Sequence, residues 1–210
     1  WIMKNLIIIS LLFLFSCEKT GNTTVKGRFY NGITGEPISD VTQSIEKVNT
    51  GANQSNKIIR SGQPNENGEY CYTFTWTGHN YIFYPLTNTE IAEKYWGENL
   101  SNFQIPKKET TVRDYALYPY GYIRFKLVNL NCFDNSDEII VYRENEAGYL
   151  ASNISFSHNG CNSFDPGLYE KYAMGHYYLS WEVTKNNITT IHYDTIYLNQ
   201  GDSILYEINY

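Results

Sequence analysis

Three cysteines stand in the body of the chain, at Cys71, Cys132 and Cys161. In an oxidising compartment such residues form disulfides, and three of them allow three pairings between which the sequence does not choose. We favour Cys132–Cys161, because both residues lie in a loop-rich part of the second half. The alternative is a metal site made of Cys132, His158 and Cys161, in which thiolates and an imidazole would bind the ion.

The four histidines, His79, His158, His176 and His192, are isolated from one another in the sequence. No H-E-x-x-H or similar pair would place two zinc ligands on one face of a helix. There is no G-x-S-x-G nucleophile motif and no glycine-rich loop that opens a helix to hold phosphate. The paired carboxylates of a glycosidase leave no local pattern, so a hydrolase stays a third hypothesis. We expect no catalytic residues, no metal and no cofactor.

The segment Asp134–Glu138 is rich in side-chain oxygen atoms, which are the ligands that calcium prefers. It lacks the glycine and the distal glutamate of an EF-hand loop. Clusters of Asp, Asn and Ser between strands commonly form turns, because their side chains hydrogen-bond the nearby backbone. We therefore interpret the segment as a turn, with calcium binding as the alternative.

Tyrosine is frequent, with 20 residues, and aromatic residues make up 16% of the chain. Tyrosine is common in strands, so β-structure accounts for the excess without a special function. Tyr and Trp also bind sugars, by stacking an apolar ring face on the sugar while a polar edge stays in water. The predicted ligand-binding residues are Tyr95 and Trp96, because they lie in the segment that interrupts the strand pattern.

A short leader opens the chain, with Lys4 as its positive residue and an apolar run from Leu6 to Phe15. The run is too short to cross a bilayer, which needs about 20 residues. It ends in Ser16-Cys17, which resembles the lipobox of bacterial lipoproteins. That resemblance implies cleavage before Cys17 and acylation of Cys17, with palmitate-like chains anchoring the protein to a membrane. An ordinary cleaved signal peptide is the alternative.

The lipoprotein resemblance implies an outer-membrane location, on the periplasmic or the surface-exposed face. Residues 18–23 are polar and indicate a flexible tether between the lipid and the first domain. The formal charge of −6, with no basic run, argues against a nucleic-acid partner. The expected partners are the membrane, through the N-terminal lipid, and a glycan or an outer-membrane protein.

The residues after the tether follow an order that resembles the carboxypeptidase-regulatory-like domain. The family pattern runs V-x-G, T-G-E-P-[IL], V and D-x-x-G-x-Y, and Asn65 replaces its usual Asp. The matching residues are Val25, Gly27, Thr34–Ile38, Val41 and Asn65–Tyr70. The resemblance implies a transthyretin-like β-sandwich over residues 24–118 that carries no catalytic residues of its own.

The second half, residues 119–210, shows the alternation of half-buried strands. Tyr177, Leu179, Trp181 and Val183 alternate with polar residues, and Asn-rich turns separate the strands that follow. This pattern predicts an antiparallel meander. The predicted fold is therefore all-β, with two tandem β-sandwiches, the second Ig-like or transthyretin-like.

One segment, Thr89–Ser101, departs from the strand pattern. Ile91, Ala92 and Tyr95 stand at helical spacing, and Thr89 is a candidate N-cap. We predict a short helix or an ordered loop here.

Two triplets, Asp194-Thr195-Ile196 and Asp202-Ser203-Ile204, resemble the D-[ST]-aliphatic sequon for O-glycosylation in some gut-type Gram-negative bacteria. The resemblance implies sugars on Thr195 and Ser203. Both triplets lie near predicted turns, where a modification would fit.

Two functions follow from these features. The first is a lipid-anchored binding or accessory protein, for capture of a glycan or another nutrient. The alternative is a structural subunit or anchor of a fimbria-like surface fibre, which would assemble by strand addition at a sheet edge.

The intact mass of the protein from its native host tests the two predicted modifications together. We expect a mass above that of the polypeptide plus lipid, because Thr195 and Ser203 would carry sugars. A mass equal to polypeptide plus lipid alone would reject the glycosylation, and a mass without lipid would reject the lipobox.

Overall fold

The computed structural model describes residues 22–48, 56–97, 100–148 and 154–210, and of Ile154 only its backbone. The predicted leader with Cys17, and residues 18–21 of the tether, lie outside these ranges. Strands dominate the described residues, as the all-β prediction required, and this prediction is confirmed.

The regular elements follow one another in chain order. The first eight strands and the helix are β1 (Thr23–Asn31), β2 (Gln43–Val48), β3 (Lys57–Gly62), β4 (Glu69–Phe74), β5 (Asn80–Tyr84), α1 (Asn88–Glu93), β6 (Tyr95–Trp96), β7 (Phe103–Gln104) and β8 (Thr110–Val112). The remaining strands are β9 (Tyr115–Val128), β10 (Glu138–Asn145), β11 (Ile154–Asn159), β12 (Glu170–Ala173), β13 (Gly175–Lys185), β14 (Ile188–Leu198) and β15 (Ser203–Asn209).

The described chain divides into two compact units. Unit 1 contains the residues up to Phe29, then Ile38–Pro85 and Ser101–Asp114. Unit 2 contains Tyr30–Pro37, Leu86–Leu100 and Tyr115–Tyr210. Unit 2 thus begins its main segment at the first residue of β9, whereas the sequence placed a boundary after residue 118, inside that strand.

Unit 1 is built from two layers of strands. β1 pairs antiparallel with β4 and parallel with β8, and the other layer has the order β3-β2-β5-β7. Aromatic side chains join the layers, because Tyr70 of β4 stacks on Phe83 of β5 with ring centroids 5.3 Å apart. Val25, Phe29 and Ile45 are fully buried around them. Burial of these side chains supplies most of the driving force for folding this unit.

The turn Asn65–Gly68 shows the structural role of the Asn and Gly positions in the N-x-x-G-x-Y sequence. The side-chain oxygen of Asn65 accepts hydrogen bonds from the backbone N–H groups of Asn67 and Glu69. Gly68 has a φ of +73°, and a Cβ there would overlap the carbonyl oxygen of Phe29. Asn therefore performs the acceptor role of an Asp at this position, and glycine meets both the conformational and the steric requirement.

Unit 2 is a β-sandwich around the long strand β9. β9 pairs antiparallel with β12 and β6 and parallel with β15, and the facing sheet has the order β11-β10-β13-β14. Every second residue of β9 is buried along its whole length. Two core clusters join the sheets, and their buried members are Ile123, Phe125, Leu127, Ile139, Val141, Tyr172, Tyr177, Leu179, Val183, Leu198 and Ile208.

The helix α1 begins at a different residue from the one predicted. Its N-cap is Thr87 and not Thr89. Thr87 and Glu90 form a capping box, in which Glu90 N–H donates to Thr87 Oγ1 at 3.1 Å and Thr87 N–H donates to Glu90 Oε2 at 2.8 Å. The residue three positions after Thr89 is Ala92, whose side chain cannot accept a hydrogen bond from the backbone N–H of an N-cap. The helix therefore takes Thr87, two residues earlier, as its N-cap.

Gly27→Ala should destabilise unit 1, because a Cβ at this position would overlap the backbone carbonyl oxygen of Arg113. We expect the free energy of unfolding to fall by about 3 kcal/mol, because overpacking against backbone is costly. Unfolding in urea measures this change. Gly62→Ala is the matched control, since its Cβ meets only the hydroxyl end of Tyr72 at 3.1 Å. Equal stability of Gly27→Ala and Gly62→Ala would contradict the close backbone approach at Gly27.

Candidate functional site

The outer face of the sheet β11-β10-β13-β14 carries three tyrosines on neighbouring strands. Ser180 of β13 lies opposite Tyr142 of β10 on one side and opposite Tyr193 of β14 on the other. Tyr178 is two residues before Ser180 on the same face. We call Tyr142, Tyr178 and Tyr193 the tyrosine face.

The alternation of the strands puts these rings in solvent. Val141 and Leu179 point into the core, so their neighbours Tyr142 and Tyr178 point outward. Tyr193 is 77% exposed and Tyr178 is 49% exposed, whereas Tyr142 is half-buried. Large apolar rings exposed together in this way indicate an interaction surface more than scattered single residues do.

The three rings surround a shallow depression of about 410 Å³. Ser180, Arg143, Leu179 and Glu144 line it as well. Glu144 is exposed and lies opposite Tyr178. The depression therefore combines ring faces with a hydroxyl group and a carboxylate.

The aromatic surface continues along β13 and β14. The ring of His176 lies nearly parallel to Tyr178, with centroids 6.4 Å apart and planes at 19°. Tyr197 of β14 meets His176 edge-on, with centroids 4.7 Å apart. The tyrosine face is thus one part of an aromatic row that runs along the strands.

A buried cation lies on the inner face of the sheet, opposite the tyrosine face. Arg143 is almost fully buried, and its guanidinium carbon lies 5.1 Å from the Phe156 ring centre and 5.3 Å from those of Phe125 and Tyr172. It also donates a short hydrogen bond to the hydroxyl of Tyr172, which donates in turn to Glu170 at 2.8 Å. These contacts hold β10 firmly where Tyr142 and Glu144 emerge on the other side.

The predicted ligand residues Tyr95 and Trp96 do not form a platform. Tyr95 is only 4% exposed, in β6 opposite Pro119 of β9. Trp96 is half-buried, with its ring centroid 5.3 Å from that of Tyr118. Burial of Tyr95 removes the open ring face that sugar stacking needs, so this pair is better explained by packing.

The disulfide that the sequence favoured is present. Cys132 and Cys161 are bonded, with their Cα atoms 5.2 Å apart. Disulfide sulfurs are not thiolates, so the alternative metal site with His158 loses its ligands. The Nε2 atom of His158 instead hydrogen-bonds the carbonyl oxygen of Asn162 at 2.6 Å. The Cys132–Cys161 disulfide links the turn before β10 to the loop after β11.

The oxygen-rich segment Asp134–Glu138 forms a turn that uses its own carboxylates. Asp134 accepts from the backbone N–H and the hydroxyl of Ser136. Asp137 is fully buried and accepts from the side chain of Asn129 at 3.0 Å and from Phe133 N–H at 2.9 Å. In the described parts of the chain, no group of three or more His, Cys, Asp or Glu residues could hold a metal ion.

Thr195 and Ser203 are both exposed, as a glycosylated residue must be. Asp194, before Thr195, accepts from the Thr195 N–H at 2.7 Å and from the hydroxyl of Tyr206. Burial of Tyr206 and its hydrogen bond to Asp194 raise the pKa of the phenol well above its ordinary value. The glycosylation of these residues stays a prediction.

Comparisons with known proteins give a fold-level likeness only. No protein-family model and no curated protein matches the chain. Among solved structures, it is similar to the Bacillus anthracis TIE protein (13% identity, TM-score 0.35) and to a streptococcal ancillary pilin (15% identity, TM-score 0.34). It covers 34% and 63% of those two chains, which in turn match 90% of this one.

A DUF3823 family protein from Parabacteroides merdae is also similar, at 12% identity and a TM-score of 0.29. The match covers 86% of this chain and all of that one. With TM-scores below 0.5, none of these likenesses carries an argument about function. Within the described ranges, no helix has the length and apolar character needed to cross a bilayer.

Acid should reveal the contribution of Asp137 to stability. Burial raises the pKa of Asp137, but hydrogen bonds from Asn129, Phe133 and Asp134, with the nearby Lys185, outweigh it and hold the pKa below 3.8. A lowered pKa in the folded state stabilises the fold above the unfolded-state pKa, and this contribution disappears as the pH falls through the folded-state value. Asp137→Asn should therefore be less stable than wild type at pH 7, with a difference that narrows below about pH 4.

Urea unfolding at pH 7 and pH 3 measures this effect, and Glu66→Gln, at an exposed turn residue, is the control. If wild type is more stable than Asp137→Asn by the same free energy at both pH values, the ionised Asp137 does not stabilise the fold. An increase in stability with millimolar calcium would instead favour the calcium alternative.

Proposed function

We propose that this protein is a lipid-anchored outer-membrane protein that binds a glycan chain on the tyrosine face. The observation that carries the proposal is the group of three tyrosines around Ser180 on the outer face of one sheet, two of them exposed and one half-buried. The lipobox-like leader supports the membrane location, on the periplasmic or surface side.

The spacing of the rings suits an extended ligand. Tyr142 and Tyr193 lie on the two strands that flank β13, so their backbones are about 10 Å apart, which is two strand spacings. Tyr178 and His176 extend the surface along the strand direction. A single small molecule would contact one part of this face, whereas a chain of sugar units would contact several rings at once.

The polar groups of the face indicate which glycans fit. Ser180 can donate and accept, and the carboxylate of Glu144 can accept from sugar hydroxyls. Glu182 lies further along the same face of β13, and the whole chain has a formal charge of −6. Acidic polysaccharides would be repelled here, so we propose a neutral glycan.

Removing one ring should weaken glycan binding without unfolding the protein. We expect Tyr178→Ala and Tyr193→Ala each to lower the affinity for a neutral glycan about tenfold, because each removes a stacking face. A glycan array identifies the ligand, and titration calorimetry measures the affinities. Tyr169→Ala is the matched control, since Tyr169 is exposed to a similar degree outside the tyrosine face.

Two results would contradict this function. One is the absence of binding to any glycan on the array, and the other is an equal loss of affinity in Tyr169→Ala. A loss confined to Trp96→Ala would return the site to the segment that the sequence first indicated.

A fibre subunit is the second candidate function. The observation that favours it is the open edge of β14, which pairs with no strand other than β13 among the described residues. Strand addition to such an edge is a recurrent mode of protein recognition.

A further inference from the structure

β14 is an edge strand with unusual exposure on both faces. It is 11 residues long and ends the order β11-β10-β13-β14. From Ile188 to Thr195 every residue is exposed, including Ile188 and Ile191, which are more than half exposed. Long, apolar edge strands of this kind readily pair with a further strand.

The turn before β14 determines which of its backbone groups are free. Asn186 and Asn187 have φ values of +47° and +60°, and they join Lys185 to Ile188 in a two-residue hairpin loop. Lys185 and Ile188 are therefore a hydrogen-bonded pair, and the even-numbered residues of β14 direct their N–H and C=O groups towards β13. The odd-numbered residues direct theirs towards the open edge, and these are Thr189, Ile191, Tyr193, Thr195 and Tyr197.

β14 also lacks the usual protection of an edge. The edge strand β3 in unit 1 carries Lys57 and Arg60, which disfavour the approach of another strand. β14 has no proline, no break in its register with β13 and only one formally charged residue, Asp194.

We propose that β14 pairs antiparallel with β14 of a second copy of this chain, with the two-fold axis at Tyr193. In this register the odd-numbered residues of the two strands face each other as hydrogen-bonded pairs, and all 11 residues of each strand take part. The Thr195 N–H, which donates to Asp194 Oδ1 in the single chain, donates to the carbonyl oxygen of Ile191 in the second copy instead. His192 of each copy then lies opposite Asp194 of the other. These are non-hydrogen-bonded pairs, in which the side chains are closest.

Complementarity between the imidazole of His192, which can donate a hydrogen bond, and the carboxylate of Asp194, which accepts one, selects this register from its neighbours. A shift of the axis to His192 would place the two His192 side chains opposite each other, and a shift to Asp194 would place two carboxylates opposite each other, which is unfavourable. An axis at Ile191 would place Asp194 opposite Ile188, whose side chain offers no hydrogen-bond donor. Asp194 has capacity for a further donor, because Oδ1 loses the Thr195 N–H on pairing, while Oδ2 keeps the hydroxyl of Tyr206.

The pairing does not rest on the glycan-binding role, and it has its own test. Sedimentation of the purified, unglycosylated full chain should show a species of twice the chain mass that dissociates on dilution. In the proposed register Ile191 lies opposite Thr195 of the second copy. The double variant Ile191→Lys/Thr195→Lys places like charges opposite each other and should be monomeric, whereas Ile191→Lys/Thr195→Glu should restore the dimer.

Ile58→Lys is the matched control, because it adds the same charge at an exposed isoleucine of another edge strand, β3, and should leave the dimer intact. Oxidative cross-linking gives an independent measurement if a double variant fails to fold. Tyr193→Cys should form a covalent dimer, because the two residues meet at the axis with Cα atoms about 5.5 Å apart. Thr189→Cys should not, since the two copies of residue 189 would be about 26 Å apart along the strands.

Three results would overturn the proposal. The first is a wild-type protein that stays monomeric at all concentrations. The second is a dimer that survives Ile191→Lys/Thr195→Lys. The third is open-ended polymers in place of a closed dimer, which would favour the fibre function instead.

Discussion

The register between β10, β13 and β14 is the constraint on which unit 2 depends. Side chains alternate along each strand, so a slip of one residue would turn Tyr178 into the core and Leu179 into water. The apolar side chains of the two core clusters hold the register by burial. Because of this coupling, the tyrosine face is a direct consequence of how the core packs and needs no separate structural element.

Arg143 is the charged residue among the inward-facing residues of β10. A charged group loses its hydration on burial, which is costly unless other contacts replace it. Three aromatic rings surround the guanidinium and one tyrosine hydroxyl accepts from it, while its Nε atom has no hydrogen-bond partner among the described residues. A cation in this position adds rigidity to the end of the sandwich that carries Tyr142 and Glu144.

Local patterns in the sequence predicted local features well. The alternation from Tyr177 to Val183 predicted β13, and the loop-rich positions of Cys132 and Cys161 indicated their bond. The capping box of Thr87 is also visible in the sequence, because Glu90 follows at the required spacing, whereas the prediction of Thr89 as the N-cap lacks that partner.

The tyrosine face was not predictable in the same way. Tyr142, Tyr178 and Tyr193 come together only through pairing between strands that are far apart in sequence, and nothing local specifies which strands are neighbours. The burial of Tyr95 was not predictable for a related reason. A segment without strand alternation suggests exposure, but Tyr95 pairs with β9 and is buried.

The parallel pairing of β15 with β9 has a consequence for the order in which the chain folds. Lys126 of β9 and Glu207 of β15 form an ion pair at 2.7 Å across 81 residues of sequence. Contacts of such long range form slowly, because a large loop must close first. Until Ser203–Asn209 pairs with it, β9 has an unpaired edge and an incompletely covered core, and the folding chain is then most vulnerable to aggregation and proteolysis.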